Sequence, residues 1–326
     1  MRTQRHQEPG TGRAEARQAG AETDRFTPVL LDESDDGLPI IEIDPGAADR
    51  LGGLVDTLNE DLRCGKLEIP GFPDIAMRLN RALGDENAPV SEIVKLINSE
   101  PGLVSRLLKI ANSPAFTKAG NNIADLQTAV NRLGFKFILS AANSYSLRQI
   151  ERQEALKPIR PWLAEIWLSS NSVAAICFVV AKRIGLLANE AMVAGLLHQL
   201  GNLYLLVQAQ NRGVNIQDDA HWDAFVRQWH PTIASEILTQ WGLPAFITDA
   251  VETQDTLLQS EPCEMTPFAT LLAAAKLYNS VRDQQTGKSA HKAAAALEPL
   301  ELWGRSFLTI VAESSDEIES VRTAIS

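Results

Sequence analysis

Two polar residues interrupt the most apolar stretch of this chain. Residues 192–207 read Met-Val-Ala-Gly-Leu-Leu-His-Gln-Leu-Gly-Asn-Leu-Tyr-Leu-Leu-Val, apolar on nearly every side, as a helix buried all round must be. His198 and Gln199 stand in its middle, and each would cost about 1–3 kcal/mol if buried without a hydrogen-bond partner. Successive residues on a helix point about 100° apart, so both line one pocket only where neighbouring helices close around it. What satisfies them decides the chemistry. Ser169 and Asn171, on a preceding apolar helix, carry the hydroxyl and amide groups that suit an imidazole. His230 precedes Pro231 and sits at a helix start or kink, where it caps or packs; His221 has a loop-like context. Asn112 and Ser113, in Asn-Ser-Pro, close a helix, where an asparagine side chain ties off backbone groups.

The absences narrow the field. No GxGxxG, P-loop, GxSxG, HExxH or EF-hand loop is present. Cys64, Cys177 and Cys263 lie far apart without CxxC spacing, which suggests a reducing compartment and neither a disulfide framework nor a zinc knuckle. The net charge of −11 argues against nucleic-acid binding, because phosphate contacts need clustered Lys and Arg. The N-terminus shows no apolar signal region, and residues 192–207 are too short and too interrupted to span a membrane. A soluble cytoplasmic protein without membrane contact is expected.

The elements that must position these residues are helical. Residues 1–45 are polar and carry the acidic run Asp32-Glu33-Ser34-Asp35-Asp36, so they read as a disordered arm that only Pro39–Ile43 could dock. Leu51, Leu54, Val55, Leu58 and Leu62 then recur at helical spacing up to Gly65. Ile69-Pro70-Gly71-Phe72-Pro73 forms a rigid turn, Ser99 is the expected cap of a helix with Pro101 in its first turn, and Asp125 caps another that Gly134 closes. A joint at Lys157–Pro161 divides an N-terminal helical subdomain (46–155) from a larger one (156–285), and two modest helices follow within 286–326. In the larger part, a long helix from Trp162 to Gly185 precedes the His198 helix, which Asn189 caps. Further helices cover Asp218 to Gln240, Phe246 to Leu258 and Pro267 to Asn279. No sustained period-two alternation occurs, so no significant sheet is expected and the fold class is all-α. The faces from Leu103 to Ile110 and from Phe135 to Leu147 should join the halves. The six tryptophans read as core or seam residues, with Trp222 and Trp229 also candidates for an exposed aromatic patch, and the acidic run Glu313 to Glu319 as solvated.

Several of these blocks, in this order, resemble the HDOD domain, the HD-related output domain of bacterial signalling proteins. They are Ile69–Pro73, Ile97–Leu103, Leu107–Phe116, Ala129–Gly134, Trp167, Ala194–Gly201, His230 and Trp241–Pro244. Asn112, Ser113, Gly134, Gly201 and Trp241 are the signature positions that the resemblance assigns to structure. It further implies an HD-like helical subdomain at 156–285, with residues 286–326 packed on it, and kinship with the HD phosphohydrolases. Those enzymes bind divalent metal through histidines on separate helices and an adjacent His-Asp doublet. Such a cation needs a carboxylate to balance its charge and to help turn bound water into a nucleophile. Here the doublet is His198-Gln199, and an amide oxygen is a weak, neutral ligand.

Other positions of the constellation have changed too. Ser169 stands where catalytic relatives place a histidine two residues after the tryptophan, and Thr253 and Gln254 replace a histidine pair after Trp-Gly-Leu-Pro. Two histidines without a carboxylate make no hydrolytic site. Ser169, His198, Gln199 and His230 therefore read as a degenerate pocket, a structural polar cluster or a site for a small polar ligand such as a nucleotide. No metal, cofactor or catalytic residue is expected. The implied function is a non-catalytic regulatory output domain that acts through contact with signalling proteins, components of cyclic-dinucleotide pathways among them. A residual metal-dependent phosphohydrolase is the alternative.

Overall fold

The computed structural model describes residues 45–69, 74–84, 90–116, 122–214, 216, 222–258, 265–283 and 288–326. The expected arm over 1–45, apart from Pro45, lies outside them, as do the Pro70–Pro73 turn and His221. The fold is all-α. The first six helices are α1 (Pro45–Arg63), α2 (Asp74–Gly84), α3 (Val90–Asn98), α4 (Pro101–Ala111), α5 (Leu126–Leu133) and α6 (Phe135–Glu151). A 3-10 turn over Glu154–Ile159 then leads into α7 (Arg160–Ile184). The site-bearing helices follow as α8 (Ala188–Leu197), α9 (Leu200–Asn211), α10 (Trp222–Gln240), α11 (Ala245–Glu252) and α12 (Pro267–Asp283). The chain closes with α13 (Lys288–Leu297), a two-stranded hairpin of β1 (Glu301–Leu302) and β2 (Arg305–Ser306), α14 (Phe307–Glu313) and α15 (Ser315–Ile325). In the hairpin Glu301 pairs with Ser306, and the turn residues Trp303 and Gly304 both have positive φ, as a tight right-twisted hairpin requires.

Local chemistry sets most boundaries. Asp125 accepts the Thr128 amide at 2.7 Å and so caps α5. Gly185, at φ +77, ends α7 in the left-handed region, where Cβ-bearing residues are strained. Elsewhere tertiary contacts moved the ends. Ser99 does not cap α4: its hydroxyl donates back to the Leu96 carbonyl at 2.6 Å, and Glu100 holds the cap position without a side-chain bond. Asn189 lies inside the first turn of α8, whose N-cap is Leu187, because the tight turn at Gly185 and Leu186 lets the helix restart at once. The expected helix from Phe246 to Leu258 stops at Glu252, and a 3-10 turn over Thr256–Leu258 follows.

Around α7 the core is built. This helix is long and apolar enough to cross a membrane by composition, yet 72% of that window is buried inside the protein. It packs along α8, with α12, α15 and α6 also against it. The expected seam is real in part: α6 lies on both α7 and α8, with α4 behind it on α6. Arg148 of α6 stacks its guanidinium 4.3 Å above the Trp167 ring of α7. Trp222 and Trp229 form no exposed patch, since both are buried; their rings pack inward from α10. Nor is the acidic run simply solvated. Glu317 of α15 pairs with Lys182 and Arg183 at the end of α7, each at 2.9 Å.

One glycine lets α8 meet α7. A Cβ on Gly195 would lie 2.6 Å from the Ala174 Cα and 2.8 Å from its nitrogen, both backbone atoms that cannot swing away. Helix propensity favours Ala over Gly by about 1 kcal/mol, but overpacking against backbone costs about 1–3 kcal/mol or more. Gly195→Ala is therefore expected to lower stability by about 2 kcal/mol in urea denaturation, the clash outweighing the propensity gain.

Candidate functional site

The apolar stretch over 192–207 is two helices, not one. His198 is the C-cap of α8 and Gln199 the N-cap of α9. The break has a tertiary cause: the Gln254 side chain donates to the His198 carbonyl at 3.0 Å, taking the oxygen that a continuous helix would use internally. His198 itself is fully buried. Its Nδ1–H donates to the Gly195 carbonyl at 2.7 Å, which fixes the tautomer and leaves Nε2 as a bare acceptor with no hydrogen-bond partner among the described residues. Burial, followed by the Lys276 charge, pushes its pKa down to about 3.

Gln199 looks elsewhere. Its amide donates to Ser169 Oγ at 3.0 Å and its oxygen accepts from Asn202 at 3.3 Å. Ser169 also accepts from Asn279 of α12 at 3.4 Å, and Arg282 continues the chain to the Asn279 oxygen at 3.1 Å. Ser169 and Asn171 thus do not serve His198 as expected. Ser169 serves Gln199, and Asn171 accepts from Ser144 of α6 at 2.8 Å, because α7 turns that face toward α6.

His230 is brought opposite by a close approach of backbones. A Cβ on Gly201 would overlap the His230 carbonyl oxygen and lie 2.8 Å from its Cα, so only glycine lets α9 rest on α10 here. His230 Nε2 lies 3.1 Å from Asp255 Oδ2 and 3.3 Å from Lys276 Nζ. An ionised carboxylate only accepts and an ammonium only donates. Placing the ring proton on Nε2 lets it donate to Asp255 and leaves Nδ1, which has no partner among the described residues, as a bare acceptor instead of a stranded donor. Lys276 then gives its protons to Asp255 Oδ1 at 2.7 Å, Asp255 Oδ2 at 2.9 Å and Gln254 Oε1 at 2.9 Å.

The comparisons with known proteins follow this geometry. The profile of the HDOD domain matches residues 69–257. The chain belongs to the HDOD domain family. A solved protein of Shewanella amazonensis, classed by name alone among metal-dependent phosphohydrolases, is 20% identical with a TM-score of 0.62; the match covers 85% of this chain and 100% of that one. A Marinobacter aquaeolei protein, named for signal transduction on the same provisional footing, is 20% identical with a TM-score of 0.51, over 86% of this chain and 66% of its own. At such identity both show the fold alone. An uncharacterized protein of Treponema pallidum is 23% identical over 67% of this chain, which spans only 44% of that relative.

The HDOD fold is kin to metal-binding enzymes, so the donor set must be tested against a divalent ion. Among the described residues no cluster of three or more His, Cys, Asp or Glu is arranged to hold one. His198 offers a single lone pair, Gln199 is a neutral amide committed to Ser169, and His230 carries its proton on the nitrogen facing Asp255. Burial works to raise the Asp255 pKa, but the Lys276 ammonium and His230 outweigh it and hold the carboxyl below its usual range. These residues do not fit a divalent metal.

Asp255 and Lys276 were not among the residues singled out from sequence. A signal for Lys276 was there: it is the single charge in the apolar run Phe268–Leu277. Nothing local pointed to Asp255. Asn112 sits apart from this site and pairs with the backbone of Ile123, accepting its amide at 2.7 Å and donating to its carbonyl at 2.9 Å.

Both buried histidines are neutral, and this makes the folded state of this chain acid-sensitive. Burial, then Lys276, lowers the His230 pKa to about 4, beside about 3 for His198. An unfolded chain takes up protons on both rings as pH falls through the ordinary value of 6.5, while the folded chain stays neutral until those lower values. Stability is therefore greatest above that pH and falls on acidification, by about 1.4 kcal/mol per pH unit for each ring. Urea titrations between pH 6.5 and 4.5 should show this slope, and His198→Gln should remove about half of it.

Proposed function

We propose that this HDOD protein is a non-catalytic regulatory domain of a bacterial signalling system, acting in the cytoplasm through contact with other signalling proteins. The observation that carries the reading is the doublet itself. Beside His198 stands no carboxylate but Gln199, and its amide is already bonded to Ser169 and Asn202. Without that carboxylate a metal-bound water lacks the charge balance and positioning that hydrolysis needs. The signal-transduction name of the Marinobacter relative supports a signalling role, although the Shewanella relative is named for phosphohydrolase chemistry. Components of cyclic-dinucleotide pathways are the partners to test first.

Catalysis is tested by elemental analysis of protein purified without chelator, together with phosphodiesterase assays on cyclic dinucleotides in added manganese or iron. No turnover above buffer and no stoichiometric divalent metal are expected. Turnover that His198→Ala abolishes would overturn the proposal.

A further inference from the structure

Lys276 is the one group of the site that neither the doublet nor the second histidine explains. Its ammonium lies 2.7 and 2.9 Å from the two Asp255 oxygens, 2.9 Å from Gln254 Oε1 and 3.3 Å from His230 Nε2. A carboxylate and an amide oxygen converging on one point form the surroundings of a cation, with the His230 ring beside it. We propose that the Lys276 ammonium is the resident cation of this site and excludes a divalent ion from it.

A divalent ion bound to Asp255 and His230 would need metal–ligand distances of about 2.0–2.2 Å in the space where those two groups already face Nζ. It would also meet a positive charge of its own sign. The Lys276 side chain is 21% exposed and Asp255 38%, so the pair is only partly screened by water. Three segments that already pack in sequence, α10 on α11 and α11 on α12, meet there: His230 from α10, Gln254 and Asp255 after α11, and Lys276 from α12. Gln254 carries the connection onward, since its amide holds the His198 carbonyl at the break between α8 and α9. One lysine thus supplies the charge that ties these segments together and leaves no vacant carboxylate for a metal. The proposal goes beyond the absence of catalysis, because it names the group that closes the site to metal.

Thermal unfolding with manganese or zinc tests it, on the full chain and on Lys276→Ala. Millimolar metal should leave the native Tm unchanged. Lys276→Ala should begin at a lower Tm and rise by about 2–4 °C with metal, as its two freed donors begin to bind. Asp255→Asn added to Lys276→Ala should remove that rise. If Lys276→Ala does not fold, manganese should still leave the His230 ring-proton resonance of the native protein unbroadened. Stoichiometric metal on the native protein, or broadening of that resonance, would overturn the proposal. So would a folded Lys276→Ala that ignores metal; with no native turnover, that result sinks the lysine inference alone and leaves the non-catalytic reading intact.

Discussion

The approach of α9 to α10 at Gly201 is the constraint on which the site depends. With no Cβ at this position, one helix rests directly on the His230 backbone of the other. The two helices pack on each other, and both carry fully or nearly fully buried apolar residues, among them Leu203, Leu206, Ile233 and Ile237. The same device operates at Gly195, where α8 presses on the backbone of α7. One contact fixes α8 on α7 and the other fixes α9 on α10, and His198 and His230 are carried by helices so paired.

Most of the polar groups are satisfied within the packed frame. His198 is satisfied by its own helix through Gly195, and Gln199 by Ser169 across the bundle. A partly buried ion pair such as Asp255–Lys276 contributes little net stability once desolvation is counted, yet removing one partner leaves the other uncompensated. Its value lies in position. Through Gln254 it fixes where the apolar stretch must break, and so which way each member of the doublet faces.

A second polar node joins the last helix to α4, α6 and α7. Arg106 of α4 donates to the Ile325 carbonyl of α15 and to Ser144 Oγ of α6 at 3.2 Å, and the one proton of that hydroxyl goes to Asn171 of α7. Four helices distant in sequence therefore share one hydrogen-bonded junction. With the Glu317 pairs at the other end of α15, it straps the last helix along α7. The α15 helix lies outside the span that the HDOD profile matches.

Sequence alone determined what short-range physics controls. Helical periodicity set the fold class, Asp125 and Gly185 set their helix ends, and the doublet that lacks a carboxylate was legible as soon as His198 and Gln199 were read together. Only the tertiary structure decided the rest. That residues 192–207 form two helices rests on an amide 56 positions away, which no local pattern encodes. Ser169 and Asn171 were rightly seen as polar groups needing partners, but α7 turns one toward Gln199 and the other toward α6. Asp255 looks like any loop carboxylate until folding brings Lys276 to within 2.7 Å of it. Spacing along a chain specifies which residues share a helix face, whereas the partner of a charge is chosen by which helices pack: α12 on α11 brings Lys276 to Asp255.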